Sequence, residues 1–339
     1  MSVTRTVRAA AALTAVTALA LTGCSRGATT DAASSSSGKA SGKKTATLIM
    51  STLNNPFFVS VGNGAKSQAA KSGVKLSVQN ANNSDSTALN LATTAVSKQV
   101  GALIIDPVSS TSATASVKQA NGAGIPVLAF DRKPEGGELA SFIGYDAIQA
   151  GRNAADALAK SLGEKGTIVE IQGLLGTNVA QDRSKGFEEQ IAKYPKIKTV
   201  AKQAADFDRA KALDVMTNIL QAHPDINGVY AANDEMAMGA LAALKSRHLA
   251  GKVKLVGNDG IADALAAIQD GTMYATNAES PYALGQKVVS LTGEVLDGKK
   301  VSAAETLQGK LVTKDTVGAY AQYLVGIGDS ADVPAALRK

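Results

Sequence analysis

The sequence predicts an α/β protein made of two doubly wound domains, each a mostly parallel sheet covered by helices on both faces. Three observations carry this. From about Thr45 onward, short β-branched runs alternate with amphipathic stretches. Nearly every run is apolar along its length, as a sheet buried on both faces requires. The alternation comes in two successive sets of similar length, and 339 residues accommodate two domains of ~100–200 residues each.

The first set places strands at Thr47–Met50, Leu76–Val78, Leu103–Ile105 and Val127–Ala129, with helices near Val59–Lys71, Thr87–Lys98 and Ala113–Ala120. After Phe142-Ile143-Gly144 the rhythm resumes, with strands around Ile168–Ile171, Thr199–Ala201, Gly228–Ala231, Leu255–Gly257 and Tyr274–Thr276. Past Val312 the chain runs through Tyr320, Tyr323 and Leu324, and its Gly328-Asp329-Ser330-Ala331-Asp332 segment predicts a loop followed by a loose end.

Composition excludes several classes. Charged residues are 19% of the chain and there is no Trp, which fits neither a coiled coil nor a highly charged disordered protein. The net charge of +6 sits at the front. Residues 1–44 hold Arg5, Arg8, Arg26, Lys39, Lys43 and Lys44 against Asp31, leaving the remainder only +1. That is too little for a phosphate-tracking surface, and no nucleic-acid partner is expected.

The first residues read as an export signal: Arg5 and Arg8, an apolar run from Ala9 to Leu21 that is too short to span a bilayer, then Leu21-Thr22-Gly23-Cys24. This resembles a bacterial lipoprotein signal, in which the cysteine is lipidated and becomes the mature N-terminus. The resemblance implies a removed prefix of residues 1–23 and a chain that works outside the cytoplasm, anchored to the cell membrane through Cys24. Cys24 is the only cysteine, so no intrachain disulfide and no thiolate metal cluster can form. Residues 24–44, rich in Ser, Ala, Gly and Thr, predict a flexible linker.

Polar residues follow the strands in both halves: Ser51 and Asn55, Asp106, Asp131-Arg132, Asn233-Asp234, Asn258-Asp259, and Asn277 with Glu279. Open α/β sheets bind ligands outside the carboxyl ends of their strands, so these positions converge on one crevice. Planar Asp, Asn, Arg and Glu groups can each engage two adjacent hydroxyls, which suits a small polyhydroxylated ligand. The same residues also serve as turn and helix-cap residues. Aromatics are only 4% of the chain. Phe57, Phe58 and Phe207 can cover the apolar face of a sugar ring or plug a core.

Ser51-Thr52-Leu53-Asn54-Asn55-Pro56-Phe57-Phe58-Val59-Ser60 is similar to the N-terminal signature of the periplasmic ribose-binding proteins. Leu128-Ala129-Phe130-Asp131-Arg132, Arg183 ahead of Gly186-Phe187, Ala205-Asp206-Phe207-Asp208-Arg209 and Asn233-Asp234-Glu235-Met236-Ala237 agree in order. The resemblance implies two Rossmann-like lobes joined by a three-stranded hinge, with crossings near Gly144-Tyr145-Asp146, Ala278–Pro281 and Gly309–Thr313. Residues 45–145 and 280–310 would form the N-terminal lobe, 146–279 the C-terminal lobe, and 311–339 the last crossing and tail. It implies a monomer that closes on a monosaccharide and delivers it to an ABC permease and its ATPase, without a cofactor or metal. Ser51, Asn55, Asp131, Arg132, Arg183, Asn233 and Asp259 would supply hydrogen bonds, and Phe57, Phe58 and Phe207 the stacking faces.

Where the family's ribose binder has Asn, Phe and Gln, this chain has Asp106, Asn258 and Glu279. An ionised carboxylate only accepts, so any ligand at those positions must donate. Two readings stay open for Asp106 and Glu279: they face the ligand and change the sugar, or Arg132 or Arg183 holds them and selectivity changes little. A carbohydrate hydrolase using Asp106, Asp131 and Glu279 is the rival function. His223 and His248 have no nucleophile nearby and read as surface residues, so no catalytic residue is assigned.

Overall fold

The computed structural model describes residues 44–338. The export signal of residues 1–23, Cys24 and the linker up to residue 43 lie outside the described residues.

The first sheet takes β1 (Thr45–Met50), β2 (Lys75–Asn80), β3 (Ala102–Ile105), β4 (Val127–Phe130) and β5 (Ser141–Tyr145) from the front of the chain. A late strand, β11 (Ala304–Leu307), completes it in the order β11-β5-β4-β3-β1-β2, parallel throughout. The period of two in each strand explains why both faces are covered. Leu103 and Ile105 join one core with Ala92 and Val117 of α2 (Asp85–Ser97) and α3 (Ala113–Gly122). Ala102 and Ile104 join the other core, with Val61 of α1 (Pro56–Ser72) and Val288 of α9 (Pro281–Leu296).

The second sheet comprises β6 (Lys165–Gln172), β7 (Lys196–Ala204), β8 (Gly228–Ala231), β9 (Lys254–Asp259) and β10 (Ala275–Ala278). It closes with β12 (Lys310–Thr313), in the order β12-β10-β9-β8-β6-β7, and β12 runs antiparallel to β10. Helices α4 (Ala147–Ser161) and α5 (Asn178–Ile191) pack on each other, as do α6 (Arg209–Ala222) and α7 (Asp234–Ser246). Edge strands depart from the expected apolar run: β7 (KIKTVAKQA) and β2 (KLSVQN) each have one flank without a partner strand and carry exposed polar positions.

The chain passes between the sheets three times: from β5 into α4, from β10 into α9, and from β11 into β12. The third passage, residues 308–309, lies at the start of the expected span, since Lys310 already pairs with Ala278 in the second sheet.

Ahead of the expected loop at residues 328–332 the tail is helical, and the end beyond it is packed in part. Val317, Tyr320, Ala321 and Leu324 recur at helical spacing and are buried along α10 (Val317–Ile327) against β12 and α8 (Ala262–Asp270). Beyond it Asp329 and Val333 are also buried, and Asp329 Oδ2 accepts from Ser60 Oγ of α1 at 3.3 Å.

Candidate functional site

The carboxyl ends of the two sheets face one another across a cleft. Nine predicted residues line one pocket in it: Asn55, Phe57, Phe58, Asp131 and Arg132 from the first lobe, and Arg183, Phe207, Asn233 and Asp259 from the second. About 270 Å³ of space not filled by atoms lies among them, part of it open to solvent.

Local chemistry places each group. Asn55 and Asn233 are helix caps as well as pocket residues. Their Oδ1 atoms accept from the N–H groups of Phe57 at 2.8 Å and Met236 at 3.0 Å, opening α1 and α7. With each carbonyl committed to a helix end, the NH₂ is what each amide offers the pocket. Asp131 (φ 56°), Phe207 (φ 61°) and Asp259 (φ 128°) have backbones in the positive-φ region. Such conformations cluster where a fold aims side chains at a ligand. Phe207 packs over Gly173, where any Cβ would come within 2.2 Å of the ring. Gly173 thus makes room for an aromatic wall.

Arg132 ties the walls together. Its guanidinium lies 5.3 Å from the Phe58 ring centre in the first lobe and 5.6 Å from that of Phe207 in the second, both within cation–π range. Its Nη1 donates to the carbonyls of Pro107 at 3.0 Å and Val108 at 3.4 Å. Arg183 Nη1 donates to the carbonyl of Ala232 at 2.9 Å. The Nε atoms of both arginines are buried without a hydrogen-bond partner among the described residues.

Four predicted residues stand behind the pocket wall instead of lining it. Asp106 is fully buried; its Oδ2 accepts from the Ser51 N–H at 3.1 Å and its Oδ1 lies 3.9 Å from Arg132 Nε. Ser51 is fully buried beside it. Glu279 accepts from Arg183 Nη2 at 2.9 Å. Asn258 donates to Asp259 Oδ1 at 3.1 Å. For the two carboxylates the physical reason is that a buried carboxylate needs a donor or a cation, which the Ser51 N–H and the arginines supply, while Asp106 Oδ1, Glu279 Oε1 and the Ser51 hydroxyl have no hydrogen-bond partner among the described residues. Glu279 is thus held by Arg183, and Asp106 sits between the Ser51 N–H and Arg132.

Burial raises every carboxyl in the cluster above its ordinary range. Asp106 rises to about 7, with Arg132 opposing the shift. Asp131 rises against the pull of Arg132 and Arg183, and Asp259 and Glu279 rise against Arg183. The arrangement offers acceptors on Asp131 and Asp259, donors on both arginines and both asparagines, and flat apolar faces on three phenylalanines. It can bind a small neutral polyol on every side. Among the described residues no group of His, Cys, Asp and Glu could hold a metal ion.

Asp234, which the sequence sets among the residues converging on the crevice, proves structural. Its carboxylate accepts from the N–H groups of Gly260 at 2.6 Å and Ile261 at 3.2 Å and from the Thr276 hydroxyl at 2.8 Å, so it fixes the turn that carries Asp259. A seam across the cleft mouth was also missed. The Ser110 N–H donates to the Gly176 carbonyl at 3.2 Å, the Asn178 N–H to Ser110 Oγ at 3.3 Å, and the Lys133 N–H to Asn178 Oδ1 at 2.9 Å. Backbone partners of this kind leave no pattern in a sequence.

Comparison with known proteins agrees with this geometry. The family model described as periplasmic binding protein domain matches residues 46–300. The ribose import binding protein of Escherichia coli (strain K12) is 42% identical over 280 residues, 82% of this chain and 93% of that protein. A xylitol-binding protein of Mycolicibacterium smegmatis is 32% identical over 327 residues, 96% of this chain and 90% of its own length. Among solved structures, an ABC transporter periplasmic solute-binding protein from Actinobacillus succinogenes 130z with bound D-allose superimposes with a TM-score of 0.78 at 31% identity, covering 81% of this chain and 99% of that one. With two parallel-dominated lobes, three crossings and a cleft lined from both sides, the chain belongs to the periplasmic binding protein family.

Proposed function

We propose that this protein is the extracytoplasmic binding component of an ABC importer, capturing a monosaccharide between its lobes and passing it to the permease unaltered. The observation that carries the reading is the pocket itself, where paired donors and acceptors and opposed aromatic faces from both lobes enclose one small volume. A sugar bridging the lobes satisfies groups from each, so binding and closure are coupled. The relatives' names, ribose import binding protein and xylitol-binding protein, and the D-allose in a structural neighbour support a pentose, hexose or polyol ligand. Ribose leads among these. The three departures from the ribose pattern, Asp106, Asn258 and Glu279, lie behind the wall and alter its supports more than its face.

The hydrolase reading loses its chemistry for the same reason. Asp106 and Glu279 are fully buried and engaged by Ser51 and Arg183, which does not favour a general-acid role, and the relatives are binding proteins of transport systems. The residues proposed to touch the sugar are the nine that line the pocket, with Ser51, Asp106, Asn258 and Glu279 supporting them. The Leu21-Thr22-Gly23-Cys24 stretch supports attachment to the cell membrane through a lipid on Cys24.

A thermal-shift screen of pentoses, hexoses and polyols, followed by calorimetry, tests the reading, because a ligand that binds only the folded protein raises its Tm. The expected result is a saturable rise with D-ribose or a close relative and no product formed. A flat response to every sugar, or turnover of a glycoside, overturns it. Loss of membrane fractionation in Cys24→Ala tests the anchor.

A further inference from the structure

We infer that Asn258 and Asn277 are positioning residues for Asp259, forming the inner end of an amide chain that starts on α4 and fixes which carboxylate oxygen faces the ligand. The inference rests on the sugar-binding reading above. Four hydrogen bonds make the chain: Gln149 Nε2 to Asn153 Oδ1 at 2.8 Å, Asn153 Nδ2 to Asn277 Oδ1 at 3.2 Å, Asn277 Nδ2 to Asn258 Oδ1 at 3.0 Å, and Asn258 Nδ2 to Asp259 Oδ1 at 3.1 Å. Every link runs in the same direction.

The direction has a cause. An ionised carboxylate can only accept, so Asn258 must turn its NH₂ toward Asp259, which leaves its carbonyl oxygen facing Asn277. The same logic passes outward to Asn153 and Gln149. Donors aligned head to tail polarise one another and strengthen the last bond of the series. Register makes the middle link possible, since Asn277 of β10 and Asn258 of β9 are direct partners across the parallel pair. Both amides are 1% exposed, so neither can turn to water for another partner.

The hinge is built around this chain. Asn277 is the penultimate residue of the strand that leads into the second crossing, and Gly309, in the third, packs so closely on it that a Cβ would lie 2.5 Å from Asn277 Nδ2. Asp259 itself is held at φ 128°. The groups facing its carboxylate are Arg183 of α5 at 3.5 Å from Oδ1, Asp234 at the start of α7, and Glu279 after β10. Asn258 and Arg183 both address Oδ1, so Oδ2 is the oxygen left for a ligand hydroxyl, and a proton arriving on Asp259 must sit there. The chain therefore keeps Asp259 an acceptor toward the ligand and delays its protonation.

The test uses the folded protein without ligand and then with D-ribose. Asn258→Leu removes the last donor at similar volume, Asn277→Leu breaks the chain one step back, and Asn153→Ala breaks it on a half-buried helix face where folding is little affected. In a ¹³C NMR titration of the Asp259 carboxyl, all three variants are expected to protonate at higher pH than wild type, Asn258→Leu most. In calorimetry with D-ribose, Asn258→Leu is expected to lose about tenfold in affinity at pH 8 and more at pH 6, a widening that simple loss of packing would not produce. An unchanged Asp259 midpoint in folded Asn258→Leu and Asn153→Ala overturns the inference. Failure of the wild type to bind any sugar would instead strike the functional reading, while the carboxyl titration still decides the role of the chain.

Discussion

Glu279 lies behind Arg183, its Oε2 accepting from Arg183 Nη2 at 2.9 Å with both side chains buried. The pair predicts two different outcomes. Arg183→Ala strips a donor from the pocket and strands Glu279 and Asp259 without their cation. Affinity for the cognate sugar should fall at least tenfold, and stability by ~3–5 kcal/mol, as when one partner of a buried pair is removed. Glu279→Gln keeps an acceptor for Arg183 and does not touch the pocket, so its affinity should stay within about threefold of wild type. Calorimetry and urea unfolding on both variants check this, and a large affinity loss in Glu279→Gln would put Glu279 back in the binding set.

Asp131 is the first lobe's carboxylate in the pocket, with Oδ2 3.8 Å from Arg132 Nε. Removing it deletes a hydrogen bond to a charged group, worth ~1.5–3 kcal/mol. Asp131→Ala should therefore bind the cognate sugar roughly tenfold or more weakly. An unchanged Kd by calorimetry would contradict the pocket assignment.

Glu170, buried in the second lobe, receives a hydrogen bond from the Ser184 hydroxyl, which in turn accepts from Gln172 Nε2 at 2.8 Å. Burial pushes its carboxyl up to about 7 from an ordinary 4.5. In the unfolded chain this proton leaves near the ordinary value, so the stability it provides is full below about 4.5 and is lost as pH rises through about 7. Glu170→Gln should match the wild type near pH 4.5 and be on the order of 3 kcal/mol more stable at pH 8. Asp106, Asp234 and Asp329 rise to about 7 for the same reason, so a residual slope of the same sign should persist. Denaturant midpoints at the two pH values measure it.

The C-terminal helix predicts a truncation effect. Val317, Tyr320 and Leu324 of α10 are buried, each worth ~1.5–3 kcal/mol when fully removed from water. A chain ending at Thr316 should melt more than ~5 °C below the full chain. Ser60→Ala, which removes the hydroxyl bond to Asp329, should cost ~0.5–1.5 kcal/mol. Scanning calorimetry on both separates packing from the single hydrogen bond.

Much of the architecture was legible because its signals are local. The β-branched runs at Leu103–Ile105 and Val127–Ala129 are buried on both faces, and nothing but a central strand suits them. β11 (AETL) and β12 (KLVT) have four residues each and half-exposed faces, too short a pattern to stand out. The i, i+3, i+4, i+7 spacing of Val317, Tyr320, Ala321 and Leu324 was present in the sequence, and the glycine-rich segment after it obscured the reading. In the site, residue types were legible and depth was not. Ser51, Asp106, Asn258 and Glu279 follow strands as the nine pocket residues do, but which carboxylate an arginine claims depends on side-chain reach across elements. The positive φ of Asp131, Phe207 and Asp259 likewise leaves no trace in residue type beyond the tolerance of Asp for it.

The bonds joining Ser110 and Lys133 to Gly176 and Asn178 span the cleft mouth without passing through any captured molecule. They must part before a guest departs, and equally before an empty cleft gapes to admit one. Dwell time and capture rate thus share a zipper remote from the sugar-facing atoms. Tightening it would lengthen the interval in which cargo can meet its transporter, at the expense of how often the vacant jaws open.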